Sequence, residues 1–152
     1  PIIASAKPAS KDTPTLRFPQ SSTSGLLAAP SGSNEPRARE KQPVSDALAT
    51  WAEAWSRKDV PNYLSSYGAS FQPPKNLDRA SWEAQRTQRI GGTSGSIWVS
   101  VSNPQIRFLA KDLAMVTFVQ GYKSATYNDK VTKNMLLENE NGAWRIVREQ
   151  RL

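Results

Sequence analysis

The stretch TWAEAWSRKDVPNYLSSY, residues 50–67, contains the closest grouping of side chains that could contact a ligand. Trp51 and Trp55 are four positions apart, and Tyr63 and Tyr67 repeat that spacing. Rings at this spacing share one helix face, where they could hold a ligand or line an ordinary core. Because Leu48 falls on the same stripe, we predict that the tryptophans belong to the core. Tyr67, whose hydroxyl needs a partner, is the better candidate for contact with a ligand.

Several kinds of chemistry are excluded because the chain contains no cysteine and no histidine. A thiol nucleophile, a Ser–His–Asp triad, a disulfide framework and most zinc or iron sites each require one of these residues. We therefore expect no metal and no cofactor.

The net positive charge is compatible with an anionic partner, such as a nucleic acid, a phospholipid surface or an acidic polymer. The chain of 152 residues has a formal net charge of +7, with six Lys/Arg against three Asp/Glu in residues 1–43 and fourteen against ten in residues 44–152. The positive charge is thus spread without a basic stripe, so we expect no nucleic-acid partner. The apolar runs are too short for a membrane span, and no membrane insertion is expected.

Composition divides the chain near residue 44. Residues 1–43 hold seven of the eleven prolines and no Trp or Tyr, which predicts a disordered Pro/Ser/Ala-rich linker. Residues 44–152 hold all five tryptophans and all four tyrosines, and they are predicted to form one domain.

The periodicity of this domain changes from helical to alternating along the chain. Three helices are predicted: one from the N-cap Ser45 to about residue 57, a short one capped by Asp59, and one over about 79–90 capped by Asp78. Five strands are then predicted, at 96–102, 105–109, 113–127, 131–139 and 144–150, with Pro104 ending the first and Asn141–Gly142 forming a hairpin turn. The order indicates an α+β fold with helices on one face of a curved antiparallel sheet.

Two segments carry a family resemblance. ALATWAEAWSRKDVPNYLSSY resembles the opening helices of the nuclear transport factor 2-like superfamily, and MLLENENGAWRIVREQ is similar to its closing hairpin. Together with SWEAQRTQRI and FVQGYKSATYNDKVTK, the pattern resembles the C-terminal accessory domain of bacterial L,D-transpeptidase-like cell-shape proteins.

The resemblance implies a cone-shaped (SnoaL-like) sheet wrapped around the helices, with a pocket at its open end. The polar and aromatic residues expected to face this pocket are Tyr67, Trp82, Arg86, Gln120, Tyr122, Lys133, Arg148 and Gln150. Such a cluster suits an anionic or hydroxylated ligand.

The superfamily includes isomerases and cyclases, which need a carboxylate base in an apolar cavity. Most carboxylates here have simpler predicted roles, such as Asp46, Asp59 and Asp78 at helix starts. Glu149 is predicted to face outward because it alternates with Trp144 and Ile146, and the face of Glu138 depends on the strand register. No catalytic residue is therefore assigned.

Three functions are compatible with these features. The leading hypothesis is a non-catalytic accessory domain of a bacterial cell-envelope protein, expected in the periplasm. It would help a neighbouring catalytic domain or protein partner engage a glycan or peptidoglycan fragment, and a homodimer through the outer sheet face is compatible with it. The alternatives are a small-molecule isomerase or cyclase and a pure dimerisation module.

Overall fold

A computed structural model of the protein describes the backbone from residue 29 to residue 152 and the side chains from residue 38 onward. The first 28 residues of the predicted linker lie outside the described residues. Residues Lys41–Leu152 form one compact unit, which contains every contact discussed below.

The first helix, α1, spans Ala29–Ser56 and so begins before the N-cap predicted at Ser45. The prediction was wrong because residues 37–42, Arg-Ala-Arg-Glu-Lys-Gln, favour helix although prolines flank them. The side-chain amide of Gln42 donates to the carboxylate of Asp46 at 2.8 Å. The two residues have the i, i+4 spacing of a helix and lie on either side of Pro43. Asp46 is thus inside a helix and does not start one.

The other two helices begin where their capping residues predict. Helix α2 spans Val60–Ser65, and a carboxylate oxygen of Asp59 accepts from the Asn62 amide at 3.3 Å. Helix α3 spans Arg79–Gly91, and Asp78 accepts from the Ser81 amide at 2.7 Å. Both predicted caps are confirmed.

The described residues form a four-stranded antiparallel sheet whose strands follow one another in chain order: β1 (Trp98–Ala110), β2 (Leu113–Lys123), β3 (Asn128–Glu140) and β4 (Ala143–Arg151). The first two predicted strands are one strand, β1, because Pro104 does not end it. The β1–β2 register shifts between Ser102 and Gln105, and Asn103 has a φ of 52°. A proline without an N–H is tolerated at such an irregularity on an edge strand.

The predicted hairpin turn and the alternation along β2 are confirmed. Asn141 and Gly142 have φ values of 53° and 92°, as a primed hairpin turn requires. On β2, Val116, Phe118 and Gln120 are buried on one face. The α+β prediction of helices against a curled antiparallel sheet is confirmed.

The core contains both tryptophans of the opening stretch. Trp51 is fully buried and Trp55 is 7% exposed, and their ring centroids lie 5.5 Å apart. Trp51 also packs edge-on against Phe118 of β2, at 6.1 Å. The prediction that these rings are core residues is confirmed.

Candidate functional site

A cavity of about 960 Å³ opens between α3 and the sheet. The size is at the upper end of the range usual for small-molecule sites. Its walls come from Trp55 of α1, from α3, from β2, β3 and β4, and from the loop between β2 and β3. Five of the predicted pocket residues line it: Trp82, Arg86, Gln120, Tyr122 and Lys133.

The other three predicted residues lie elsewhere. Tyr67 is 3% exposed and lies behind the cavity wall, where its hydroxyl contacts a residue that lines the cavity. Arg148 and Gln150 are exposed and do not line the cavity, so their predicted inward orientation is wrong. Their place in the cavity is taken by Glu149, which was predicted to face outward.

A β-bulge in β4 reverses the predicted faces. Leu136 of β3 pairs with Arg148, but the next residue, Leu137, pairs with Ile146, so Val147 is an extra residue. Ile146 and Val147 are therefore both buried, and the alternation resumes one residue later with Glu149 inward. The adjacent apolar pair Ile146–Val147 is the sequence signal that could have indicated the bulge.

The segment that follows α2 holds this part of β4 in place. The Ile146 amide donates to the Ser66 carbonyl at 2.8 Å, and the Gly68 amide donates back to the Ile146 carbonyl, also at 2.8 Å. The Gln72 amide donates to the Val147 carbonyl at 3.1 Å. The bulge thus has backbone hydrogen bonds on the side of β4 that β3 does not cover.

The bulge brings Glu149 to Lys133, and the two form a nearly buried ion pair. Each side chain is 9% exposed, and the Lys133 Nζ donates to Glu149 Oε2. The Tyr67 hydroxyl donates to Glu149 Oε1 at 2.7 Å, and the Trp51 Nε1 donates to the Tyr67 oxygen at 3.0 Å. A chain of hydrogen bonds therefore connects Trp51 in the core, through Tyr67, to Glu149 and Lys133 on the cavity lining.

The charges around Glu149 decide its protonation state. Burial alone would raise its pKa, but the positive charges of Lys133 and Arg86 and the hydrogen bonds from Lys133 and Tyr67 outweigh burial and hold the pKa below its ordinary value. Glu149 is therefore ionised at neutral pH and already paired. An isomerase base would need a raised pKa, so this carboxylate is poorly suited to accept a proton from a substrate.

Because Tyr63 and Tyr67 are buried, we expect the protein to lose stability at alkaline pH. Burial raises the pKa of Tyr63 to about 12; the charge of Arg86 opposes this effect and that of Glu149 adds to it. The pKa of Tyr67 is also raised, mainly by burial. Tyrosines in the unfolded chain ionise near pH 10, so the folded state loses stability as pH rises from about 10 to 12. For Tyr63 alone we expect a loss of about 2–3 kcal/mol, measured by urea unfolding across this range. Tyr63→Phe should flatten the dependence, and an unchanged slope in that variant would contradict the assignment.

Two buried polar atoms at the cavity wall have no hydrogen-bond partner among the described residues: the Nε1 of Trp82 and the Oε1 of Gln120. Both residues line the cavity, and Gln120 is 7% exposed. An unpaired buried polar atom costs free energy. Because a turn of the Gln120 amide exchanges its oxygen and nitrogen, either atom can occupy the unpartnered position.

Positive charge predominates around this wall. Five cationic side chains and two carboxylates line the cavity, including the Lys133–Glu149 pair and an Arg151–Asp129 contact of 3.7 Å. Three of these cations form no ion pair with a described carboxylate: Arg86 and Arg89 of α3, and Lys75 in the short segment Pro74–Asn76 before α3. The Arg86 guanidinium lies 5.6 Å from the Trp82 ring centroid. This arrangement favours an anionic guest.

Metal binding finds no support in residues 29–152, which contain no group of three or more His, Cys, Asp or Glu placed to hold an ion. No helix in this part of the chain has the length and apolar character needed to cross a membrane.

Solved structures identify the class of fold. Bd1075 of Bdellovibrio bacteriovorus matches with a TM-score of 0.64 at 24% identity, over 73% of this chain and 39% of that chain. The helical cell shape determining protein Pgp2 of Campylobacter jejuni matches with a TM-score of 0.61 at 19% identity, over 68% of this chain and 38% of that chain. An NTF2-like protein of unknown function from Pseudomonas putida matches with a TM-score of 0.64 at 13% identity, over 76% of this chain and 86% of that chain. The domain has the NTF2-like fold.

The family is narrower than the fold. The sequence model of the Cds6 C-terminal NTF2-like domain matches residues 43–150, and the chain belongs to this family. No curated protein matches the chain. These findings confirm the resemblance to the NTF2-like superfamily, and the likeness to the cell-shape protein Pgp2 is a likeness of fold. The chain spans only 39% and 38% of the Bd1075 and Pgp2 chains.

Proposed function

We propose that this domain is a non-catalytic binding module of a bacterial cell-envelope protein, which holds an anionic peptidoglycan fragment in the cavity for a neighbouring catalytic domain. The observation that carries the proposal is the composition of the cavity lining. It includes Gln120 and Trp82, whose Oε1 and Nε1 have no partner among the described residues, and two arginines, Arg86 and Arg89, that form no ion pair with a described carboxylate. A peptidoglycan fragment offers amides and hydroxyls to the first two groups and carboxylates to the arginines.

The cell-envelope context rests on similarity. Pgp2 is described as a helical cell shape determining protein, and its chain extends well beyond the part that this domain matches. By analogy, the domain would work beside a catalytic partner in the periplasm.

The alternatives fit the cavity less well. An isomerase is favoured by the position of Glu149 opposite the Tyr67 hydroxyl, but the lowered pKa and the pairing with Lys133 oppose proton abstraction. A pure dimerisation module needs no open cavity and would fill it with its own side chains, whereas about 960 Å³ is open here. Pairing of two copies through the outer sheet face stays a prediction.

Binding should weaken when the charge of Arg86 is removed. Isothermal titration calorimetry should detect binding of a disaccharide-tetrapeptide to the protein. Arg86→Met should lower that affinity by roughly 10- to 100-fold, which corresponds to the loss of a charge-assisted hydrogen bond. The matched control is Arg57→Met, because Arg57, which follows the last residue of α1, is exposed and does not line the cavity. No binding by the unmodified protein, or equal effects of the two substitutions, would refute the proposed function.

Gln120 permits a second test that separates binding from folding. Gln120→Leu removes a buried amide oxygen that has no partner among the described residues, so the free energy of unfolding should stay unchanged or rise. Affinity for the same fragment should nevertheless fall by about tenfold. If stability and affinity fell together, the amide would be serving the fold and not the ligand.

A further inference from the structure

A carboxylate and two tyrosine rings line the main cavity where β2 passes into β3. Asp129 is the direct cross-strand partner of Tyr122, and both residues line the cavity. Side chains that are directly opposite in an antiparallel pair share one face of the sheet, with Cβ atoms about 5 Å apart. Tyr127 of the connecting loop also lines the cavity, and its ring centroid lies 6.1 Å from that of Tyr122. These three residues form what we call the acidic corner.

Both rings of the acidic corner are held in place by the surrounding structure. The Tyr122 ring packs against Trp55 of the core, with centroids 5.6 Å apart. The loop that carries Tyr127 is closed by a hydrogen bond from the Ser124 amide to the Tyr127 carbonyl at 2.7 Å. Because Tyr127 is 57% exposed, most of its side chain is free to contact a ligand.

The same combination of groups holds an ammonium elsewhere on the cavity lining. The Lys133 ammonium is paired with Glu149, and its Nζ lies 5.6 Å from the Trp51 ring centroid and 5.9 Å from that of Trp55. The carboxylate supplies the counter-charge, and the ring faces attract the cation. Glu149 is therefore occupied by an ammonium of the protein itself.

Asp129 lacks such an ammonium among the described residues. Its ion-pair contact there is with Arg151, at 3.7 Å, which is beyond hydrogen-bond distance, and the Arg151 side chain is 67% exposed. An exposed pair of this kind contributes little, so the guanidinium can give way to a cation of a ligand. A cation between the rings of Tyr122 and Tyr127 would lie within the roughly 6 Å that a cation–π contact requires, since the two centroids are 6.1 Å apart.

We propose that the acidic corner binds an ammonium group of the same ligand whose carboxylates contact the arginines of α3. The ligand is then a peptidoglycan fragment whose stem peptide carries a free side-chain amine, as a diamino acid supplies. This inference rests on the proposed function, because the α3 side of the cavity supplies the contacts to the anionic groups. A fragment without the amine would bind more weakly, since Asp129 would face it without a counter-charge.

Two forms of one fragment test the proposal: a disaccharide-tetrapeptide whose diamino acid keeps its side-chain amine, and the same fragment acetylated at that amine. Each is titrated by calorimetry into the whole chain. Asp129→Asn should weaken binding of the free-amine form by about tenfold, the loss of one charge-assisted contact, and leave the acetylated form unchanged. Tyr127→Leu should weaken binding of the free-amine form by roughly two- to fivefold. Asp112→Asn is the matched control, because Asp112 is exposed in the turn between β1 and β2 and does not line the cavity.

The outcomes separate the two proposals. If Arg86→Met weakens binding of both forms, but the unmodified protein binds the two forms equally well, the ammonium site is refuted and the proposed function stands. If neither form binds, both proposals fail. An Asp129→Asn variant that loses affinity for both forms alike would show that the carboxylate serves the shape of the cavity, and this result would also overturn the ammonium site.

Discussion

Replacing Glu149 with leucine is expected to lower the free energy of unfolding by about 3–5 kcal/mol. The substitution leaves the ammonium of Lys133, whose side chain is 9% exposed, without its carboxylate partner. It also removes the acceptor of the Tyr67 hydroxyl. An unpaired charge in a nearly buried site is costly because no counter-charge offsets the loss of its hydration. Urea unfolding of the single variant measures the loss.

The double variant Glu149→Leu, Lys133→Met distinguishes a stabilising pair from an unpaired charge. Replacing both partners by apolar groups should restore most of the lost stability, since the cost of burying the ions is also removed. Glu53→Leu is the matched single control, because the Glu53–Arg57 pair is exposed on both sides and should contribute about 1 kcal/mol or less. A loss in Glu149→Leu no larger than that of Glu53→Leu would contradict the role assigned to the pair.

The acid side of the stability profile gives a further check on Glu149. Its pKa is lower in the folded state than its ordinary value of 4.5. Its contribution to stability is therefore fully present above about pH 4.5 and is lost as the pH falls through the folded-state pKa. Glu149→Leu should lack this part of the acid transition.

The local features of the fold could be predicted because each rests on short-range chemistry. Asp59 and Asp78 cap helices through side-chain bonds to backbone amides three residues away, and Asn141–Gly142 adopts the positive φ values that its turn requires. The core role of Trp51 and Trp55 follows from helical spacing. These features are determined within a few residues, so a single sequence contains them.

The features that could not be predicted depend on pairing between distant segments. Alternation through β4 placed Arg148 inward, but the register with β3 contains one extra residue at Val147, and every later side chain changes face. Pro104 lies within β1 because that strand is at the sheet edge, which sequence alone does not reveal. The start of α1 at Ala29 was missed because the prolines outweighed the helix formers that follow them.

The candidate site combines both cases. The family resemblance implied a pocket, and five predicted residues line it because the helices and strands that carry them have regular periodicity: Trp82, Arg86, Gln120, Tyr122 and Lys133. Glu149 was missed, although an inward Lys133 requires a counter-charge and Glu149 on the neighbouring strand could have supplied it. Looking for the partner of a predicted buried cation would have indicated the bulge before the register was known.

Replacing Trp51 with alanine is the second substitution with a large expected effect, a loss of about 3–5 kcal/mol in the free energy of unfolding. The ring is fully buried, packs against Trp55 and Phe118, and donates to the Tyr67 hydroxyl at 3.0 Å. Its removal leaves a large cavity and takes away the donor that orients Tyr67 toward Glu149.

Trp98→Ala is the matched control for Trp51→Ala, because it removes the same side chain from an exposed position. Stability should change by about 0.5 kcal/mol or less there. If Trp51→Ala does not fold, Trp51→Phe keeps most of the ring volume, lacks the N–H donor and should still be measurably destabilised in urea. Tryptophans that served as a ligand cage would give the opposite result, with stability retained in Trp51→Ala and affinity for the peptidoglycan fragment lost.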